Sequence, residues 1–209
     1  MPAVEEIRVM IADDHPVVCR GIAAIVQSEP GMRIVGEASN GRQAVEMYRA
    51  LLPNVALIDL RMPVLSGLDA IREIHREFPK AHIITLTTYK GDEDVYRALK
   101  AGAQGYLLKG MSNSELLDAI RIVNSGRKHL PRPVMDTLAN RPPESDLSDR
   151  EMEVLELIVK GMSNKQIADK LGITESTVKW HVNLILSRLK VGDRTAAAVA
   201  ALRRGIIEF

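Results

Sequence analysis

The stretch VALIDLRMP, residues 55–63, decides the fold. It is an apolar run, short enough for a strand buried on both faces, that stops at Asp59 and turns through Met62 and Pro63. Runs of the same kind lie on either side: IRVMIA from Ile7, MRIVGEA from Met32, HIITLTT from His82 and GYLLK from Gly105. Between them the apolar period changes to that of helices, with Val18, Ile22, Ile25 and Val26 after the first run and Val95, Ala98 and Leu99 after the fourth. A last helix spans Ser112 to about Asn124, where Ser112 and Glu115 form a capping box, Met111 staples onto Leu116, and Gly126 ends it. This alternation predicts an α/β doubly wound, five-stranded parallel sheet.

In such a sheet ligands bind beyond the carboxyl ends of the strands. The chain puts Asp13 and Asp14 there after the first run, Asp59 after the third, Thr87 and Thr88 after the fourth, and Lys109 after the fifth. One aspartate at a strand end is ordinary; an acidic pair, an aspartate, a threonine and a lysine on one rim form a pattern. Carboxylates packed together repel unless a divalent cation lies among them, and hard oxygen donors suit Mg²⁺. A lysine and a hydroxyl opposite match the oxygens of a phosphoryl group. No strand leads into a glycine-rich phosphate loop, which argues against dinucleotide and P-loop chemistry. His15 reads as a loop residue, since Mg²⁺ prefers oxygen. Cys19, the single cysteine, reads as a small core residue in a chain without internal disulfides. The start MPAVEEIR lacks the layout of a signal peptide and no apolar run reaches membrane-spanning length, so the expectation is a cytoplasmic protein without membrane contact.

Residues 127–146 carry four prolines, at 131, 133, 142 and 143, and no sustained period; they read as a linker with one short helix near Met135 to Ala139. Beyond it helices follow one another without strands. Ser148 with Glu151 and Ser163 with Gln166 form two more capping boxes, stapled by Leu147 with Met152 and Met162 with Ile167, and their helices close at Gly161 and Gly172. The expected organisation is a first domain over 1–126, a linker over 127–146 and a small all-α four-helix domain over 147–209.

Residues 160–204 hold nine basic against three acidic side chains, net +6, while residues 1–130 balance at 16 against 16. A basic helical module beside a neutral one points to an anionic partner, although solvated basic helices are common and charge alone does not decide. In TESTVKWHVNLILSRLK, Thr174 can cap, and Val178, Val182, Ile185, Leu186 and Leu189 share one stripe. Ser176, Lys179, Trp180, Asn183, Ser187 and Lys190 fall on the opposite face, with Leu184 a blemish beside them, assigned to packing on a neighbouring helix. A helix of this kind after a short helix and a glycine turn suits entry into a major groove, with Lys165, Thr177, Arg188 and Arg194 at phosphates. The alternative for Trp180 is a domain or dimer contact.

The segments IADDHP, LIDLRMPVLSG, LTT and GYLLK resemble the receiver domains of two-component response regulators, with their flavodoxin-like fold. LSDREMEVLELIVKGMSNKQIADKLGITESTVKWHVNLILSRLKVGDRT resembles the LuxR-type helix-turn-helix module. Together they are similar to the NarL/FixJ group. The resemblance implies that Asp59 accepts a phosphoryl group from a sensor histidine kinase, and that Asp13, Asp14, Asp59 and the backbone carbonyl of Arg61 hold Mg²⁺. It implies that Lys109 and Thr87 contact the phosphoryl oxygens, and that Tyr106 switches rotamer. The product is a phosphorylated homodimer on double-stranded DNA that regulates transcription, with a scaffold helix near 164–171, a recognition helix near 175–189 and a dimer helix near 193–204. For the alanines of that last helix, private packing within the domain is an equal alternative from sequence. No enzyme activity is expected beyond its own phosphoryl transfer and dephosphorylation, the latter slowed by the bulk of Arg61 and Tyr89. Many receivers have proline after the lysine, where this chain has Gly110. A haloacid dehalogenase-type phosphatase would need a second aspartate where Arg61 stands, and a module that never takes phosphate is the remaining rival.

Overall fold

The computed structural model describes residues 6–88, 91–139 and 147–207. They divide into two compact units, the first running to Asp136 apart from Gly91–Asp94, and the second taking those four residues together with the chain from Thr137 onward.

The first unit is a parallel sheet of β1 (Ile7–Ala12), β2 (Met32–Ala38), β3 (Val55–Asp59), β4 (Ile83–Thr87) and β5 (Gly105–Leu108). The order is β2-β1-β3-β4-β5, so the chain winds to one side for β2 and returns past β1 to continue on the other. Every residue of β3 and β4 is buried, as central strands covered on both faces must be. The crossovers are α1 (Pro16–Gln27), α2 (Gly41–Leu51), α3 (Gly67–Glu77) and α4 (Asp92–Ala101), followed by α5 (Asn113–Asn124). Val9, Ile11, Val55, Leu57, Ile84 and Leu86 pack against Ile22 and Val26 of α1 and Leu116, Ile120 and Val123 of α5. Cys19 lies in this core, its Sγ 3.4 Å from the carbonyl of Asp13 and its thiol pKa pushed up by burial and then by Asp13. The capping box at Ser112 forms with both halves in place.

The segment expected as linker holds more order than its prolines suggest. His129 bridges to Gly105, donating to Gln104 O at 2.9 Å and accepting from Tyr106 N at 3.0 Å, and so covers part of the β5 edge. A helix, α6 (Arg132–Ala139), begins three residues earlier than expected.

The second unit contains α7 (Asp149–Val159), α8 (Asn164–Leu171), α9 (Glu175–Leu189) and α10 (Arg194–Arg203) around one apolar cluster. Ser148 and Ser163 complete their capping boxes, Thr174 caps α9, and Gly172 ends α8 in the left-handed conformation at φ 65°. No helix of the described residues is long and apolar enough to cross a membrane.

Candidate functional site

The order of strands puts the ends of β1 and β3 side by side at the point where the sheet reverses direction, with Ala12 paired to Ile58. Asp13 follows β1 and is 1 % exposed; Asp59 closes β3 and is 3 % exposed. Asp14 stays accessible at the rim. Lys109 leaves the end of β5, its amide held by Thr87 O at 2.7 Å. Its Nζ reaches across the edge to Asp59 Oδ2 at 2.7 Å and Asp13 Oδ2 at 2.8 Å. Among the described residues Asp13, Asp14, His15 and Asp59 bring one ligand atom each within 4.8 Å of one another.

Burial raises the pKa of the Asp59 carboxyl, against the pull of the Lys109 hydrogen bond and charge and of the Arg61 backbone N–H. Burial also works against the charge of Lys109, but hydrogen bonds to Asp13 and Asp59 outweigh it and hold the ammonium above its usual range. One ammonium faces three carboxylates, a deficit of two positive charges that a hard divalent cation is suited to fill. The donor set therefore fits Mg²⁺.

His15 is the residue that sequence reasoning set aside. It is the residue before α1, its amide donates to Asp13 Oδ1 at 2.9 Å, and its ring Nδ1 lies 3.1 Å from Asp13 Oδ1 and 2.8 Å from Asp14 Oδ1. The ring is thus a partner of the carboxylates. The signal was its place directly after the acidic pair.

Thr87 ends β4, buried, and Tyr106 is fully buried in β5, in register with Thr85. Gly110 follows Lys109 at φ 105°, a conformation closed to proline, and no peptide among the described residues is cis. Tyr89, expected to crowd the site with Arg61, lies outside the described residues.

In the second unit the exposed arc of α9 matches the expected face: Ser176, Lys179, Trp180, Asn183, Ser187 and Lys190 are all exposed. The buried side differs from the expected stripe. Val178, His181, Ile185 and Leu189 form it, whereas Val182 and Leu186 are half-buried at its margin. Leu184 is half-buried beside the exposed arc and is not among the residues packed on the apolar cluster, so the packing expected of it is not found there. Lys165 is exposed in the first turn of α8, and Thr177 is half-buried with its hydroxyl 2.9 Å from that of Thr174.

Two arginines expected at phosphates are engaged within the protein. Arg188 Nη1 donates at 2.7 Å to Glu151 Oε2, on a side chain 2 % exposed, and the same oxygen accepts from Ser148 N at 2.7 Å. Arg194 donates to Met162 O at 2.5 Å and Asn164 Oδ1 at 3.2 Å, tying α10 to the start of α8. Each guanidinium thus has partners inside the protein and lies off the exposed arc of α9.

Known proteins agree with both halves. Residues 9–121 match the response regulator receiver domain and residues 145–201 match the luxR family of bacterial regulatory proteins. Transcriptional regulatory protein LiaR of Bacillus subtilis (strain 168) is 40 % identical over 209 residues, covering 96 % of this chain and 99 % of that one. The nitrate/nitrite response regulator protein NarP of Escherichia coli (strain K12) is 39 % identical over 211 residues, covering 98 % of each. Among solved structures, RcsB from Salmonella enterica serovar Typhimurium, bound to a promoter in the presence of the phosphomimetic BeF3-, is 28 % identical with a TM-score of 0.73, covering 93 % of this chain and 97 % of that one. The chain belongs to the two-component response regulators of the NarL/FixJ group, a receiver domain followed by a LuxR-type DNA-binding domain.

Proposed function

We propose that this protein is a phosphorylation-controlled transcription regulator whose phosphoacceptor is Asp59. A carboxylate oxygen of Asp59 attacks the phosphorus of a phosphohistidine on a sensor histidine kinase. The new O–P bond forms as the P–N bond breaks, and the imidazole leaves with the electron pair. The observation that carries this reading is the double contact of Lys109 Nζ, 2.7 Å from Asp59 and 2.8 Å from Asp13, at the mouth of a cluster of carboxylates. Lys109 holds a phosphoryl oxygen as charge builds on it, and the hydroxyl of Thr87 takes another. Asp13, Asp14, Asp59 and the backbone carbonyl of Arg61 would hold Mg²⁺, which supplies charge neutralisation for the transferring group. The same residues support hydrolysis of the aspartyl phosphate, so the protein's chemistry is confined to its own modification.

The phosphoryl group adds about −1.5 to −2 charge at Asp59. Drawing in Lys109 and Thr87 repacks the neighbourhood of Tyr106, which favours a homodimer and the binding of double-stranded DNA in the cytoplasm. The exposed arc of α9 enters the major groove, with Lys165 and Thr177 at phosphates, while Arg188 and Arg194 position the helices from behind. The alanines of α10 allow close approach of a second copy. The domain limits that go with this reading are 1–126, 127–146 and 147–209, with α6 inside the joint.

Incubating the protein with acetyl phosphate tests the first step. The wild type is expected to gain one phosphoryl group by intact mass, only with Mg²⁺ present, and Asp59→Asn to gain none. A phosphoryl group found on another residue in the wild type contradicts the assignment.

A further inference from the structure

We infer that Trp180 reads thymine: its indole is the apolar element of an otherwise polar recognition face and takes the C5 methyl group of a thymine in the major groove. This rests on the proposal that α9 enters that groove.

Trp180 is 58 % exposed, and it is the only tryptophan in the chain. An indole left in water forfeits much of its hydrophobic gain, so a surface that keeps one there has a partner for it. Its neighbours on the exposed arc one turn away are Ser176 and Asn183, and Ser187 lies two turns on, all short and polar. The indole therefore protrudes beyond them. The ring of His181, itself buried, meets it edge-on with centroids 4.8 Å apart, which backs the ring from the core side. Lys179 adjoins it in sequence, Lys190 lies on the same exposed arc at the far end of α9, and the segment 160–204 carries net +6, which suits a polyanion rather than another copy of the same basic surface.

The major groove offers donors and acceptors on every base pair and only one apolar group, the thymine methyl. Asn183 and Lys179 can pair with adenine and guanine edges; neither has use for a methyl group. A rigid aromatic with two rotatable bonds covers that methyl at little cost in side-chain entropy.

The experiment uses the full chain and duplexes it selects from a randomised pool. The selected duplex is resynthesised with deoxyuridine in place of every thymidine, which removes only the C5 methyl groups. Wild type is expected to lose about three- to fivefold in affinity for each methyl contacted. Trp180→Ala, verified as folded by its melting temperature, is expected to bind both duplexes alike, and Trp180→Leu to keep part of the thymine preference. The proposal is overturned if wild type binds both duplexes equally, or if Trp180→Ala loses as much on deoxyuridine as wild type does. It is also overturned if the substitution changes only the molar mass in solution, since that marks a contact between copies. If wild type selects no sequence at all, the groove-binding reading beneath it falls as well; selection without thymine dependence leaves that reading intact.

Discussion

Removing the charge of Asp59 should make the metal-free protein more stable. Its carboxyl is buried and its pKa is raised, so the folded state takes up a proton more readily than the unfolded chain. The contribution of such a group is present at low pH and lost as pH rises through the folded pKa. At pH 7 without metal, Asp59→Asn is therefore expected to melt a few degrees higher than wild type, where 1 kcal/mol corresponds to about 2–4 °C, with the gap closing towards pH 4. Thermal melts with and without Mg²⁺ check this, and Mg²⁺ should stabilise only the wild type. Val64 stores strain nearby: its φ is 70°, Leu65 N donates across it to Pro63 O at 2.8 Å, and its β-branched side chain is exposed. This three-residue turn is of the strained kind. Val64→Gly is expected to gain on the order of 1 kcal/mol by chemical denaturation, net of the added freedom of the unfolded chain. Arg188 separates two roles sharply. Arg188→Ala leaves the buried carboxylate of Glu151 short of its cation and is expected to cost about 1–3 kcal/mol of stability. Because its guanidinium serves Glu151, the slope of log affinity against log salt for DNA should stay unchanged, whereas a phosphate contact would lower it by about 1. Strand ends made Asp13, Asp59 and Lys109 legible in the sequence. The partners of Arg188 and Arg194 lie 37 and 30 residues away, beyond the reach of any helical period.

At the scale of elements, Asp59 is aimed by the junction of β3 with α3. Gly67, the first residue of α3, approaches so closely that an added Cβ would stand 1.7 Å from the carbonyl oxygen of Asp59 and 2.7 Å from its carbon. Gly67→Ala must therefore move the backbone of Asp59, the proposed phosphoacceptor. Phosphoryl uptake from acetyl phosphate is expected to fall at least tenfold, a loss of about 1.4 kcal/mol in transition-state stabilisation, while the far-ultraviolet circular dichroism stays near wild type. The three capping boxes were legible because each needs only two residues at fixed spacing before an apolar run, and all three formed. The His129 bridge was not, since a single paired residue has no period and its partners Gln104 and Tyr106 are distant in sequence. The buried side of α9 was legible in its centre but not at its edges: Val178, Ile185 and Leu189 are buried as expected, while His181 joins them on one edge and Val182 and Leu186 lie at the margin on the other.

For the whole molecule, the division of charge is the physical basis of regulation. The first 130 residues balance and the excess of lysine and arginine is concentrated in the segment 160–204, so attraction to DNA is built into that segment and phosphorylation must act on its availability or its pairing. Shifting a two-state equilibrium from about 1 % to about 99 % active takes roughly 5.5 kcal/mol of preference for the active state. In the proposed scheme the phosphoryl group itself meets only the carboxylate cluster, Lys109 and Thr87. The most direct measurement is the affinity of wild type and Asp59→Ala for a selected duplex, each with and without acetyl phosphate and Mg²⁺. The expected result is tighter binding on phosphorylation in wild type, and in Asp59→Ala a basal affinity near wild type that acetyl phosphate leaves unchanged. Equal stimulation of both proteins would contradict the role of Asp59.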